Sequence, residues 1–193
     1  TTIKSGANVS ANNNLYGIYN YAGGGDLSVA TGFFLIEGGA HVTANNNRSC
    51  GIFNTVYDNF DTPADDYFTI QGSADVSADG NGVYGICNDG GIFTIENGAY
   101  ISTCNNGYDG IFNNKHGTFT MEPGANVSVC NNSRHGIFNT NSGTFTVERD
   151  VDLQVEHNKN SGIVNKKGAT MTLLSGRVRY NTTSQDGGGL RYY

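Results

Sequence analysis

The chain has 193 residues, of which 37% are apolar and 15% charged, with 28 glycines, 2 prolines and no tryptophan. A disordered chain of such low charge also lacks aromatic and β-branched residues, whereas here 10 Phe and 11 Tyr recur at fixed intervals, so the sequence predicts a fold with a thin core and many tight turns. The net charge of −6 argues against nucleic acid as the main partner, and no apolar run approaches the roughly 20 residues of a membrane span.

The sequence opens partway through a repeat, at Thr1–Ala7, and reads as a mature fragment of a longer repeat protein. A signature of Gly-Ile, a third variable residue and Asn then occurs six times. Its glycines are Gly17, Gly51, Gly85, Gly110, Gly136 and Gly162, and a degenerate copy starts at Gly187. The spacings between consecutive copies are 34, 34, 25, 26, 26 and 25 residues, a period that marks a solenoid. Each unit holds three strand-like pieces. The signature is the first, and segments such as Gly117–Ala125 and Ala125–Asn132 are the second and third.

Within the second piece apolar residues alternate as in a half-buried strand. Phe34, Phe68, Phe93, Phe119 and Phe145 fall on one face, with Thr69, Thr94, Thr120 and Thr146 on the other. In the third piece Val9, Val42, Val76, Ile101, Val127, Leu153 and Val178 form the inward line. A unit of 25 or 26 residues with three short strands cannot close its own sheet, so consecutive units must stack, about 4.8 Å apart. Like residues then meet along the axis. Asn14, Asn47, Asn81, Asn106, Asn132 and Asn158 are predicted to form one asparagine ladder, and Asn20, Asn54, Asn88, Asn113, Asn139 and Asn165 another. Asparagine also tolerates the left-handed turn that a corner needs. The fold predicted for residues 1–193 is all-β, a single parallel β-helix domain of about seven coils.

These repeats and Asn columns resemble the β-helical repeats of adhesin-like surface proteins of prokaryotes and, more loosely, the pectate-lyase-like β-helix superfamily. The resemblance implies right-handed coiling and an extracellular or cell-surface scaffold that binds a host or cell-surface glycan or protein without catalysis. The looser resemblance implies the alternative, a carbohydrate-active β-helix of the lyase or hydrolase kind. Such enzymes need clustered carboxylates and a Lys or Arg base on one outer face. The column Glu37, Glu96, Glu122 and Glu148, interrupted by Gln71, has no basic column beside it.

The two long intervals place inserts at 21–31 and 55–66, at one corner of neighbouring coils, where repeat insertions often map to a binding face. Tyr57, Asp58, Phe60, Asp61, Asp65 and Asp66, with Asp26 of the first insert, are the candidate ligand-binding residues. Asp58, Asp61 and Asp65 offer oxygen ligands for calcium. The same insert also reads as a partner or sugar platform, and most simply as a plain solvated loop.

Five further features stand out. Asp109 and His135 precede their glycines in adjacent coils and suggest a general base, but no nucleophile accompanies them at a matching position. Thr118, Thr120, Thr144, Thr146, Thr170 and Thr172 form, over only three coils, the kind of flat array found on ice-binding β-helices, and ordinary strand propensity is the preferred account of it. Tyr19, Phe53, Cys87, Phe112, Phe138 and Val164 make an outward stripe, either a binding surface or one covered by flanking loops. Cys104 and Cys130 occupy equivalent positions one coil apart and are candidates for a disulfide. Cys50 and Cys87 share no register and are expected to be free. The first 156 residues carry 5 basic and 16 acidic side chains and the rest 6 and 1, which suggests head-to-tail self-association.

Overall fold

A computed structural model describes residues 1–22, 32–56, 66–166, 168–183 and 188–193. Among them, 21 strands form three parallel sheets of seven, one strand of each sheet per coil, in a right-handed parallel β-helix. The first sheet contains Thr2–Ile3, Phe33–Ile36, Tyr67–Ile70, Ile92–Ile95, Thr118–Met121, Thr144–Val147 and Thr170–Leu173. The second contains Asn8–Ser10, His41–Thr43, Asp75–Ser77, Tyr100–Ser102, Asn126–Cys130, Asp152–Glu156 and Arg177–Arg179. The third contains Ile18–Ala22, Ile52–Val56, Ile86–Asp89, Ile111–Asn114, Ile137–Asn139, Ile163–Asn165 and Leu190–Tyr192.

Like pairs with like in the register. Phe93 lies opposite Phe68 on one side and Phe119 on the other. The rings of Phe34, Phe68, Phe93, Phe119 and Phe145 stack with centroids 4.7 to 4.9 Å apart and planes within 8° of parallel. Strand spacing sets that ring spacing, because each Cα sits one strand from its copy. The second sheet contributes its Val, Ile and Leu line to the same core, and the third contributes Ile52, Ile86, Ile111, Ile137 and Ile163.

The corner between the second and third sheets carries the first Asn ladder. Nδ2 of Asn47, Asn81, Asn106 and Asn132 donates to Oδ1 of the next ladder residue at 2.9 to 3.1 Å. The ladder continues to Asn181, which accepts from Asn158 at 2.8 Å. The left-handed conformation does not fall on the ladder residues. It falls one residue earlier, at Asn13, Asn46, Gly80, Asn105, Asn131, His157 and Tyr180. The ladder side chain points inward from a corner that its predecessor turns.

The second ladder, Asn20 to Asn165 on the third sheet, has every Nδ2···Oδ1 distance at 2.8 Å. Between the end residues Asn14 and Asn181 of the first, both ladders are buried, so each buried amide must be satisfied within the protein. The signature glycine belongs to the same design. A Cβ on Gly110 would lie 2.5 Å from Val129 Cγ1 and 2.7 Å from the ladder amide of Asn132.

Another column is built from unlike residues. Asn45 N donates to Asn12 Oδ1 at 2.7 Å, Asp79 N to Asn45 Oδ1 at 2.8 Å and Cys104 N to Asp79 Oδ1 at 2.6 Å. Cys104 is joined by a disulfide to Cys130, their Cα atoms 4.5 Å apart. One coil further along, Glu156 meets Arg179 at 2.6 Å.

Candidate functional site

The third sheet buries Ile and Asn and turns the intervening residue outward. Two ring clusters result. In the first, Tyr16 and Tyr19 stack at 5.3 Å, Tyr19 and Tyr21 at 5.8 Å, and Phe53 closes on Tyr16 at 5.2 Å. Tyr19 is 50% exposed, and its hydroxyl pKa is raised by partial burial and by Tyr21 and Tyr16 beside it. The inserts 21–31 and 55–66 leave from the ends of the two strands that hold this cluster.

In the second cluster, Tyr84 stacks on Phe112 at 4.6 Å and meets Tyr108 edge-on at 6.4 Å, and Phe112 leans on Phe138 at 5.7 Å. The Arg134 guanidinium lies 4.9 Å from the Phe138 centroid and 5.6 Å from that of Tyr108, within cation–π range of both. Between the clusters sit Cys50 and Cys87. At the far end Val164 is covered. The outward stripe is therefore open at its rings and closed at its thiols and at Val164.

Beneath Arg134 the column before the signature glycine turns polar. Asp109 is fully buried, its Oδ1 3.2 Å from Arg134 Nε and accepting from the His135 backbone N–H at 2.9 Å. Burial raises the Asp109 carboxyl to about 6, against the pull of Arg134 and of that backbone donor. Burial, helped by the Arg134 charge, lowers His135 to about 4. Burial also pushes the Tyr84 hydroxyl above its usual range, helped by the Asp109 charge.

Asp109 Oδ2, Arg134 Nε, His135 Nδ1 and Ser161 Oγ are all buried without a hydrogen-bond partner. The Asp109 carboxylate holds the His135 backbone and not its ring, so the two side chains form no proton relay. Neutral His135 at physiological pH leaves Arg134 and Asp109 as the charged pair under the rings.

Of the insert residues, Asp66 is buried and accepts from the ladder amide of Asn20 at 3.1 Å, while its carbonyl takes the Ile92 N–H at 2.7 Å. Asp26, Tyr57, Asp58, Phe60, Asp61 and Asp65 lie outside the described residues. Among the described residues no three His, Cys, Asp or Glu side chains are grouped to hold a metal ion, and no helix is long and apolar enough to cross a membrane. Glu37 is held by Lys4 at 2.7 Å, which lowers its pKa, whereas partial burial and then Glu122 raise that of Glu96.

Arg134, Tyr84 and Tyr108 were not singled out by the repeat. They occupy the two positions before the signature glycine, where neighbouring coils always carry different residues, so stacking like on like gives no signal. The chain matches no protein-family model, no curated protein and no solved structure.

Proposed function

We propose that the chain is a rigid, non-catalytic scaffold of an extracellular, adhesin-like kind, and that the outer face of its third sheet binds a glycan. One observation carries the reading. Two clusters of partly open rings lie along one sheet whose other side is packed into a continuous core. Aromatic faces with a few fixed polar groups are the usual lining of a small-molecule site, and rings anchored in a sheet lose little freedom on binding. The Cys104–Cys130 disulfide supports an oxidising compartment. End-to-end association of the acidic and basic parts belongs to the same reading, and a particle size independent of salt and concentration removes it.

A carbohydrate-active enzyme is the second reading, and the buried Asp109 paired with the partly exposed Arg134 beside His135 is the observation in its favour. One experiment separates the two. The protein is applied to a glycan array, and every bound polysaccharide is then assayed for release of reducing ends. Binding without release, weakened at least tenfold in Tyr19→Ala or Phe112→Ala, is expected. Release that disappears in Asp109→Asn favours the enzyme. No bound glycan, or binding indifferent to both ring substitutions, refutes the proposal.

A further inference from the structure

Rings at the surface of this protein repeatedly hold a cation of its own. The Arg134 guanidinium lies 4.9 Å from the Phe138 centroid and 5.6 Å from that of Tyr108. Lys166 and Arg191 lie over Tyr193 at 5.0 and 4.3 Å, and Arg179 lies over Tyr180 at 5.2 Å. The first ring cluster of the third sheet is the exception. Tyr16, Tyr19 and Phe53 touch pairwise, with centroids 5.2 to 5.5 Å apart. Among the described residues no Lys or Arg lies over any of the three. The register shows why. Arg134 stands two residues before its signature glycine and Phe138 two after it; in the coil of Phe53 the residue matching Arg134 is Ser49, whose side chain is a single hydroxymethyl group. The rings remain open, Tyr19 being half exposed. Charge around them favours a cation from outside. Residues 1–66 carry six acidic and two basic side chains, and one of the two, Lys4, is paired with Glu37 at 2.7 Å.

We propose that Tyr16, Tyr19 and Phe53 form a subsite for a protonated amino sugar, whose ammonium takes the place over the rings that Arg134 takes in the second cluster. The inference rests on the reading of the third sheet as a glycan-binding face, and it names the class of sugar that the first cluster selects. A ring face carries the negative part of its quadrupole, so it attracts an ammonium in addition to stacking on the apolar face of a sugar. An N-acetylated sugar keeps the stacking and lacks the charge. In the second cluster the chain's own guanidinium occupies the rings, so that cluster stacks sugars without selecting the amine.

The test uses the full chain in calorimetric titrations, in a low-salt, mildly acidic buffer that keeps the amine protonated. The probes are an oligomer of glucosamine and the fully N-acetylated oligomer of the same length. The glucosamine oligomer is expected to bind about tenfold more tightly, with an advantage that shrinks as salt is added. Tyr19→Ala, and Tyr19→Leu as a variant that keeps an apolar side chain without a ring, are expected to abolish the preference, whereas Phe112→Ala in the second cluster keeps it. Equal affinity for the two oligomers overturns the inference and leaves the glycan-binding face standing. A preference that survives both Tyr19 variants is general attraction of a polycation to an acidic protein, and it overturns the inference too, as does a preference lost equally in Phe112→Ala. If neither oligomer binds, the inference falls, and the glycan-binding face falls with it only where the glycan array is also empty.

Discussion

Asp109 and His135 pull the stability of the rod in opposite directions as the solution is acidified. The Asp109 carboxyl is raised from 3.8 to about 6 in the fold, so the folded chain holds that proton more tightly than the unfolded one. Its contribution is fully present below pH 3.8 and is lost as pH rises through about 6. At about 1.4 kcal/mol per pKa unit, the difference is about 3 kcal/mol. His135 is lowered from 6.5 to about 4, so its contribution is present above pH 6.5 and is lost as pH falls through about 4. Its ring partly reaches solvent, which reduces the corresponding figure to about 2 kcal/mol.

In the natural chain the two slopes nearly cancel between pH 6 and 4, and single substitutions uncouple them. Asp109→Asn keeps an acceptor for the His135 N–H and removes the carboxyl. Denaturant unfolding followed by far-UV circular dichroism, from neutral pH to pH 4, reads the outcome. The stability of Asp109→Asn relative to the natural chain should fall by about 3 kcal/mol over that range, and that of His135→Gln should rise by about 2 kcal/mol. Differences that stay flat with pH, or that move in the same direction, refute the burial argument for both groups.

Three other outcomes follow from the packing. Asn113→Ala removes an amide that donates to Asn139, Gly117 and Thr144, and is expected to lower stability by about 2–4 kcal/mol in thermal unfolding, whereas Asn14→Ala at the exposed end of the other ladder should cost under about 1 kcal/mol. Gly110→Ala, whose Cβ meets Val129, Asn132 and the Gly136 carbonyl, should cost more than about 2 kcal/mol. Gly189→Ala is the control, since nothing lies within 4 Å of its Cβ and the change should fall within about 0.5 kcal/mol. Reducing Cys104–Cys130, which closes a loop of sequence separation 26, should lower stability by about 3 kcal/mol, read from denaturant midpoints with and without reductant.

Stacking makes every position that repeats a visible one, and that is why the core was readable. The Phe column from Phe34 to Phe145 and the paired ladders from Asn20 and Asn47 onward needed only the period and the inward face. Positions that do not repeat were hidden, although the coil uses them just as fully. The column of Asn12, Asn45, Asp79, Cys104, Cys130, Glu156 and Arg179 changes residue at four of its six steps, and of its contacts only the Cys104–Cys130 pair was legible in the sequence. Diagonal contacts were hidden too. Tyr84 on Phe112 and Tyr16 on Phe53 link unlike positions of neighbouring coils, which a comparison of equivalent residues never pairs. The Asn doublets, such as Asn105-Asn106 and Asn131-Asn132, were plain in the sequence. Their division of labour, one residue turning the corner and the next entering the ladder, needed the backbone angles.

All of these rows exist only if residues one coil apart sit directly above one another. Proton NMR on protein carrying labelled phenylalanine tests that arrangement at the centre of the rod. Ring-to-ring Overhauser contacts are expected from Phe93 to Phe119 and from Phe119 to Phe145, and not from Phe93 directly to Phe145, because the first two pairs lie 4.8 and 4.9 Å apart. Missing contacts between the consecutive rings, or a direct one between the outer two, would contradict the stacked coil and the binding face built on it.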